Sequence, residues 1–330
     1  MNKHLMFWIK LLVTALFLGI TYVQLKSEIS AKELVESFKN IDMNWLVAAT
    51  SIYFISLIFS AIQWAILLRK QSIEISNFKA IRLYFVGLFF SNFLIGNVGG
   101  DIKRVYDVTR DSKKLGASVT ATLFDRIFGL YTLSFISVAT GALFFINDFE
   151  LGKFVFPCLM IFITLSLGFA GLFSMRIGQQ IDKVFKVGSK LKLTDKYRSI
   201  RESFQLYRGA SFLGPIFAFS FVIQILRIYT QVLMANSLGL ELDLSYYFFL
   251  VPIIGIVTAL PISVGGFGPR ELVSKELMGA VGWSPLQAVI WQFIGVLINV
   301  FLGLIGAIEF VFGRKSIQSE NKKEEMTTEG

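Results

Sequence analysis

Residues 261–271 read PISVGGFGPRE, and this stretch decides the architecture. It ends an apolar run, residues 246–264, that has the composition of a membrane helix, then fills with glycine and delivers an arginine beside a glutamate. Glycine weakens a helix by about 1 kcal/mol per residue relative to alanine, and a charge at bilayer depth is costly. The run is therefore expected to turn back rather than cross. An earlier stretch behaves in the same way: residues 80–98 are apolar and lead into NVGGDIKR at 97–104.

The rest of the chain has the composition of a protein dissolved in lipid. Its 330 residues are 54% hydrophobic and only 17% charged, with a mean hydropathy of +0.64, so an all-α polytopic membrane protein is expected. Six windows reach the roughly 20 apolar residues that a spanning helix needs: 5–25, 43–68, 117–146, 154–174, 211–236 and 284–312. The first follows Lys3 as a signal peptide would, but LFLGITYVQLKSE offers no small-residue cleavage site, so it is read as a helix. The only cysteine, Cys158, lies in the apolar segment FPCLM, which excludes an intramolecular disulfide and favours a packed thiol. His4 is the only histidine, so neither a histidine-rich metal site nor a Ser-His-Asp hydrolase can be assembled. No cofactor is expected.

A net charge of +9 raises the question of nucleic acid, but in a lipid-embedded chain positive charge first reports topology. Residues 175–210 hold nine Lys or Arg against three acids, residues 69–82 hold four against one, and Arg314 and Lys315 follow the last span. These connections are expected to be cytoplasmic. Residues 26–42, 147–153 and 237–245 carry more acids than bases and are expected to face outward. Residues 101–114, with five bases and three acids, lie on the cytoplasmic side again. On this bookkeeping 80–98 enters and returns on one side, and 246–264 does so on the other. Irregular backbone at membrane depth is tolerable where protein or a water-filled cavity satisfies it. The reading is about six spanning helices plus two re-entrant helical hairpins, in a cytoplasmic (inner or plasma) membrane with both termini inside.

Sliding the sequence over itself by 166 residues aligns the two glycine-rich segments without a gap. Val98, Gly99 and Gly100 fall on Val264, Gly265 and Gly266; Arg104 falls on Arg270; Gly116, Ser118 and Gly129 fall on Gly282, Ser284 and Gly295. The triplet Glu36, Ser37, Phe38 falls on Glu202, Ser203, Phe204. Each half then holds three crossings, and an odd number places the copies in opposite orientation. Two inverted-topology repeats are expected, over residues 1–150 and 151–313, with a polar tail at 314–330. Broken helices meeting near the midplane are typical of alternating-access transporters.

A helix restarted inside a membrane leaves its first N–H groups unpaired, and that end is electropositive. Pro269 suits the first turn of such a helix, Asp101 is a candidate cap for the other, and Gly99, Gly100, Gly265, Gly266 and Gly268 permit tight turns. Arg104 and Arg270 are candidate partners for an anion such as a lipid phosphate. Each glycine pair also has a plain reading as a helix-packing contact, and Arg270 with Glu271 as a local ion pair. Asp125 and Arg126, inside the span 117–146, project about 100° apart and must find partners elsewhere: Arg104 or Arg270 for the first, Glu271 or a bound phosphate for the second. Arg227 lies mid-span at 211–236 with Gln231 one turn on. A structural salt bridge is the alternative for all three. Glu309, near a helix end, is expected to snorkel to water.

The segments GGDIKRVYDVTR at 99–110, TATLFDRIFGLYTL at 120–133 and LPISVGGFGPRE at 260–271 resemble the lysylphosphatidylglycerol synthase transmembrane family, also called flippase-like, over residues 10–312. In that family a proline often precedes the first glycine motif; here residues 92–97 read NFLIGN, so the first break is less sharp. The resemblance implies movement of an aminoacylated phospholipid between leaflets, with a separate soluble domain attaching the amino acid. Only a polar tail follows Gly313, so lysylation by this chain is not expected. Relatives also work beside glycosyltransferases, which keeps polyprenyl-phosphate-linked lipids open as cargo and a separate synthase or glycosyltransferase open as partner. The expected substrate-binding set is Gly99, Gly100, Asp101, Arg104, Asp125, Arg126, Arg227, Gly265, Gly266, Gly268, Arg270 and Glu271, with Asp125 as candidate proton carrier. The alternative is a membrane subunit of a lipid-modifying enzyme or glycosyltransferase system without transport of its own. Membrane lipids are the expected ligands, and nucleic acid is not.

Overall fold

The structure is a computed structural model that describes residues 38–93, 98–147, 149–173, 202–259 and 269–328. The described residues form ten helices: α1 Met43–Lys70, α2 Asn77–Phe93, α3 Val98–Ser112, α4 Leu115–Asn147, α5 Phe149–Gly152, α6 Val155–Phe173, α7 Ala210–Ser237, α8 Leu244–Ala259, α9 Pro269–Gly279 and α10 Pro285–Thr328. No strand occurs among them. Five helices are long and apolar enough to cross a membrane, within α1, α4, α6, α7 and α10. These answer five of the six windows read from the sequence; the sixth, 5–25, lies outside the described residues. Exposed Phe156 and Leu167 on α6, and Phe301, Ile308 and Phe312 on α10, present the apolar surface that lipid requires.

Local chemistry sets the helix ends. The Asn44 N–H donates to Asp42 at 2.8 Å, capping α1, while Arg69 and Lys70 occupy its last turn, where cations suit the helix dipole. Pro269 opens α9, where its missing donor costs little. The 17 residues of α2 and 16 of α8 span about 25 Å at 1.5 Å per residue, short of a hydrocarbon core of about 30 Å.

The two glycine segments differ from the expectation in one respect. Gly99 and Gly100 belong to the first turn of α3, not to the connection before it, and α2 folds back against α3 closely enough that a Cβ on Gly100 would overlap the Gly87 carbonyl. Only glycine lets the two backbones approach that far. Asp101 accordingly lies inside the helix rather than at its cap. Gly265, Gly266 and Gly268 lie outside the described residues. Helix α10 runs on to Thr328.

The helices recur at the same offset as the sequence matches: α1, α2, α3 and α4 are followed 166 residues later by α7, α8, α9 and α10, whose first residues fall within five of the shifted positions. Their packing recurs too. Helices α1 and α7 run antiparallel, with Asp42 N–H bonded to the Ser237 carbonyl at one end and Phe59 stacked on Phe219 at 5.3 Å further along. Helix α2 packs antiparallel on α10, where a Cβ on Gly306 would overlap the Phe85 carbonyl, and Arg82 pairs with Glu309. Glu309 thus has a protein partner instead of reaching only for water. Helix α8 packs antiparallel on α4, with Phe144 stacked on Phe249 at 5.2 Å and the Thr140 hydroxyl donating to the Phe248 carbonyl at 3.1 Å. Each short apolar helix therefore rests on the last long helix of the other half. The phenylalanine of the repeated triplet has a counterpart contact in each half: Phe38 meets Phe293 of α10 at 5.9 Å, and Phe204 meets Phe124 of α4 at 5.8 Å.

Two apolar clusters flank the centre. One gathers Trp64, Leu67, Leu68, Phe124, Phe128 and Tyr207, and the other Tyr247, Phe249, Trp283 and Trp291. Cys158 is buried, as a packed thiol should be.

Candidate functional site

Between the halves lies a cavity of about 420 Å³ whose wall draws on α1, α2, α3, α4, α7, α8, α9 and α10. Four arginines and two carboxylates line it: Arg104, Arg126, Arg227 and Arg270, with Asp101 and Asp125. Six of the twelve residues singled out from sequence thus meet in one space. Gly99, Gly100 and Glu271 do not line it: Gly100 is a backbone contact, and Glu271 stands behind Arg270.

The charges form a connected set. Asp101, one turn before Arg104 on α3, pairs with both Arg104 and Arg126, so it crosslinks α3 to α4. The second Arg104 nitrogen, Nη1, lies 4.0 Å from Asp125 Oδ2, and Gln63 Nε2 of α1 donates to Asp125 Oδ1 at 2.9 Å. The Arg104 guanidinium also faces two rings, 4.4 Å from the centroid of Tyr84 and 5.0 Å from that of Trp64, a favourable setting for a planar cation. Arg104 is 4% exposed, so its charge is held entirely by protein. Asp125 and Arg126 do project apart and take different partners. The partner of Asp125 is one of those expected, and Arg126 pairs with Asp101.

Arg270 Nε donates to Glu271 Oε1 at 3.1 Å, a local pair on the first turn of α9 where the carboxylate also suits the helix dipole. Arg227 is different. Its Nη2 donates to the Ser60 hydroxyl of α1 at 2.9 Å, and it makes no ion pair among the described residues. The salt bridge considered for it is not formed there.

Sequence reading passed over most of the neutral polar wall: Gln63, Gln224, Ser60, Ser220, Tyr53, Tyr84, Gln292 and Asn299. A signal was present, because Gln224, Arg227 and Gln231 recur at i, i+3 and i+7, one face of α7, and Ser56, Ser60 and Gln63 recur at i, i+4 and i+7 on one face of α1. Near the cavity, Asn299 Nδ2 donates to Asn92 Oδ1 at 2.9 Å and Tyr53 donates to Asn299 at 3.1 Å, tying α10 to α2 and α1. No group of three His, Cys, Asp or Glu side chains suited to a metal ion occurs among the described residues.

Apolar helices closing on a charged cavity define a polytopic α-helical membrane protein. The profile described as lysylphosphatidylglycerol synthase TM region matches residues 7–306, and the chain belongs to that family. A UPF0104 membrane protein of Pyrococcus horikoshii is 25% identical over 309 residues, covering 85% of this chain and 90% of that protein. No solved structure matches the chain.

Proposed function

We propose that the protein is a flippase that moves a lipid with an anionic headgroup between the leaflets of the cytoplasmic membrane. The observation that carries this reading is the cavity itself: arginine in excess of carboxylate, at the meeting of two halves whose equivalent helices α1 and α7 run antiparallel. A charged group inside a membrane bundle is expensive unless function or pairing holds it there. Antiparallel equivalent helices and counterpart packings are what inverted-topology repeats with two re-entrant hairpins would produce, and such repeats open one central site to each side in turn. In this mechanism the headgroup enters the cavity, its phosphate meets the arginines, and the acyl or prenyl tails stay in lipid. The ion pairs of Asp101, Arg104, Asp125 and Arg126 then exchange partners as the halves rock. Aminoacylated phospholipids and polyprenyl-phosphate-linked lipids are the cargo classes that the family suggests, with a separate synthase or glycosyltransferase as partner.

Leaflet exchange of fluorescent anionic, aminoacylated and polyprenyl-linked lipids in proteoliposomes tests the reading. Wild type should speed the exchange of one class, and Arg227→Gln and Asp125→Asn at matched reconstitution should each slow it at least about tenfold, the cost of one charge-assisted contact. Equal exchange by all three proteins would remove these residues from any transport step. Chemical modification of a lipid-linked substrate without exchange would favour the membrane-enzyme alternative.

A further inference from the structure

The charge pattern of the cavity narrows its ligand. Each carboxylate at or beside it is already engaged: Asp101 by Arg104 and Arg126, Asp125 by Gln63 with Arg104 at 4.0 Å, and Glu271 by Arg270. Among the described residues Arg227 is then the surplus cation, bonded there only to the Ser60 hydroxyl and with its Nε lacking a partner.

Neutral acceptors accompany it. Gln63 donates its amide nitrogen to Asp125, and Gln224 donates its own to the Gly129 carbonyl at 3.3 Å. Neither acceptor can donate in return, so the orientation of both amides is fixed, and their Oε1 atoms are left without a donor among the described residues. Both side chains are 3% exposed and belong to the cavity wall. Gln231 Oε1, on the same face of α7 as Arg227 and Gln224, likewise has no donor among the described residues. A buried acceptor without a partner costs about 1–3 kcal/mol as a general rule, so three of them around one arginine are poised for donors that arrive from elsewhere.

We infer that the cavity takes an anionic phosphate-ester headgroup bearing hydroxyl groups and no cation, rather than an aminoacylated one. The phosphate pairs with Arg227, and hydroxyl hydrogens satisfy the Gln63, Gln224 and Gln231 carbonyls. An ammonium group would also donate to those carbonyls, but among the described residues it finds no unengaged carboxylate, and it stands beside an arginine that makes no ion pair there. This rests on reading the cavity as the headgroup site of the proposed flippase.

The test measures equilibrium binding to the purified full chain in nanodiscs, with three probes: phosphatidylglycerol, its lysyl ester, and phosphatidic acid, which lacks the headgroup hydroxyls. Phosphatidylglycerol should bind at least about tenfold more tightly than the lysyl ester. Arg227→Gln should weaken phosphatidylglycerol binding by about tenfold, and Arg227→Lys, which keeps the charge, should retain most of it. Gln224→Leu should weaken phosphatidylglycerol more than phosphatidic acid. Tighter or equal binding of the lysyl ester, indifference to Arg227→Gln in a protein that Arg227→Lys shows to be folded, or binding of none of the three probes would each overturn the inference. Leaflet exchange is scored separately. The expected preference without exchange would remove the flippase reading and keep the headgroup assignment, whereas exchange that favours the lysyl ester would do the reverse.

Discussion

Arg104 holds the first-half network together from a single side chain. It pairs with Asp101 on its own helix, approaches Asp125 on α4, and lies against Tyr84 and Trp64 from α2 and α1. Removing one partner of a buried ion pair costs about 3–5 kcal/mol, because the other charge is left uncompensated. Asp125→Ala and Asp125→Asn are therefore both expected to lower the thermal unfolding midpoint of the purified protein, Asp125→Ala further, because asparagine keeps an acceptor for Gln63. Arg104→Lys should also destabilise, by about 1–2 kcal/mol, since a lysine reproduces the charge but not the planar contact with two rings. Midpoints equal to wild type for both variants would mean that the carboxylate is not balanced by Arg104, and equal midpoints for the two variants would mean that the Gln63 contact contributes nothing. At this scale the charged residues were legible in the sequence because an ionisable side chain in an apolar span stands out against its surroundings. Their pairings were not. That Asp101 serves two arginines, or that Arg227 has a serine where a carboxylate was considered, depends on how α1, α3, α4 and α7 meet. Gln63 and Gln224 escaped because a neutral amide carries no charge that must be paired inside a span, so it does not stand out as an ionisable group does.

The helices themselves show where local sequence yields to packing. The long spans α1, α4, α6, α7 and α10 begin and end close to the apolar windows, since twenty apolar residues leave a chain in lipid few choices other than a helix. The glycine segments were harder to place. Gly99 and Gly100 are poor helix formers, yet α3 includes them because the approach of α2 leaves no room for a side chain at 100. Gly100→Ala and Gly306→Ala should each destabilise by about 1–3 kcal/mol through overpacking against backbone, which cannot step aside. Gly116→Ala is the control: a Cβ there meets nothing within 4 Å, and alanine should leave the midpoint unchanged or raise it slightly. Thermal unfolding of the three variants decides the point, and a Gly100→Ala midpoint equal to wild type would show that α2 and α3 do not sit so close.

For the whole molecule, the self-alignment by 166 residues foreshadowed more than a list of repeated letters. Helices at matching positions make matching contacts, α2 on α10 and α8 on α4, so neither half encloses the cavity alone. The family membership agrees with the motifs that suggested it, at residues 7–306. Orientation in a bilayer and movement of a lipid are consequences that we propose from this arrangement, and they share one requirement: the same cavity must open to both sides of the membrane. Thr230 lines the cavity and is 4% exposed, and Cys158 is the only native thiol. The most direct measurement is therefore labelling of Thr230→Cys, in a Cys158→Ser background, by a membrane-impermeant maleimide in right-side-out and inverted vesicles. Alternating access predicts labelling from either side, with saturating transported lipid changing both rates. Labelling from one side alone, whether or not lipid is present, would contradict it.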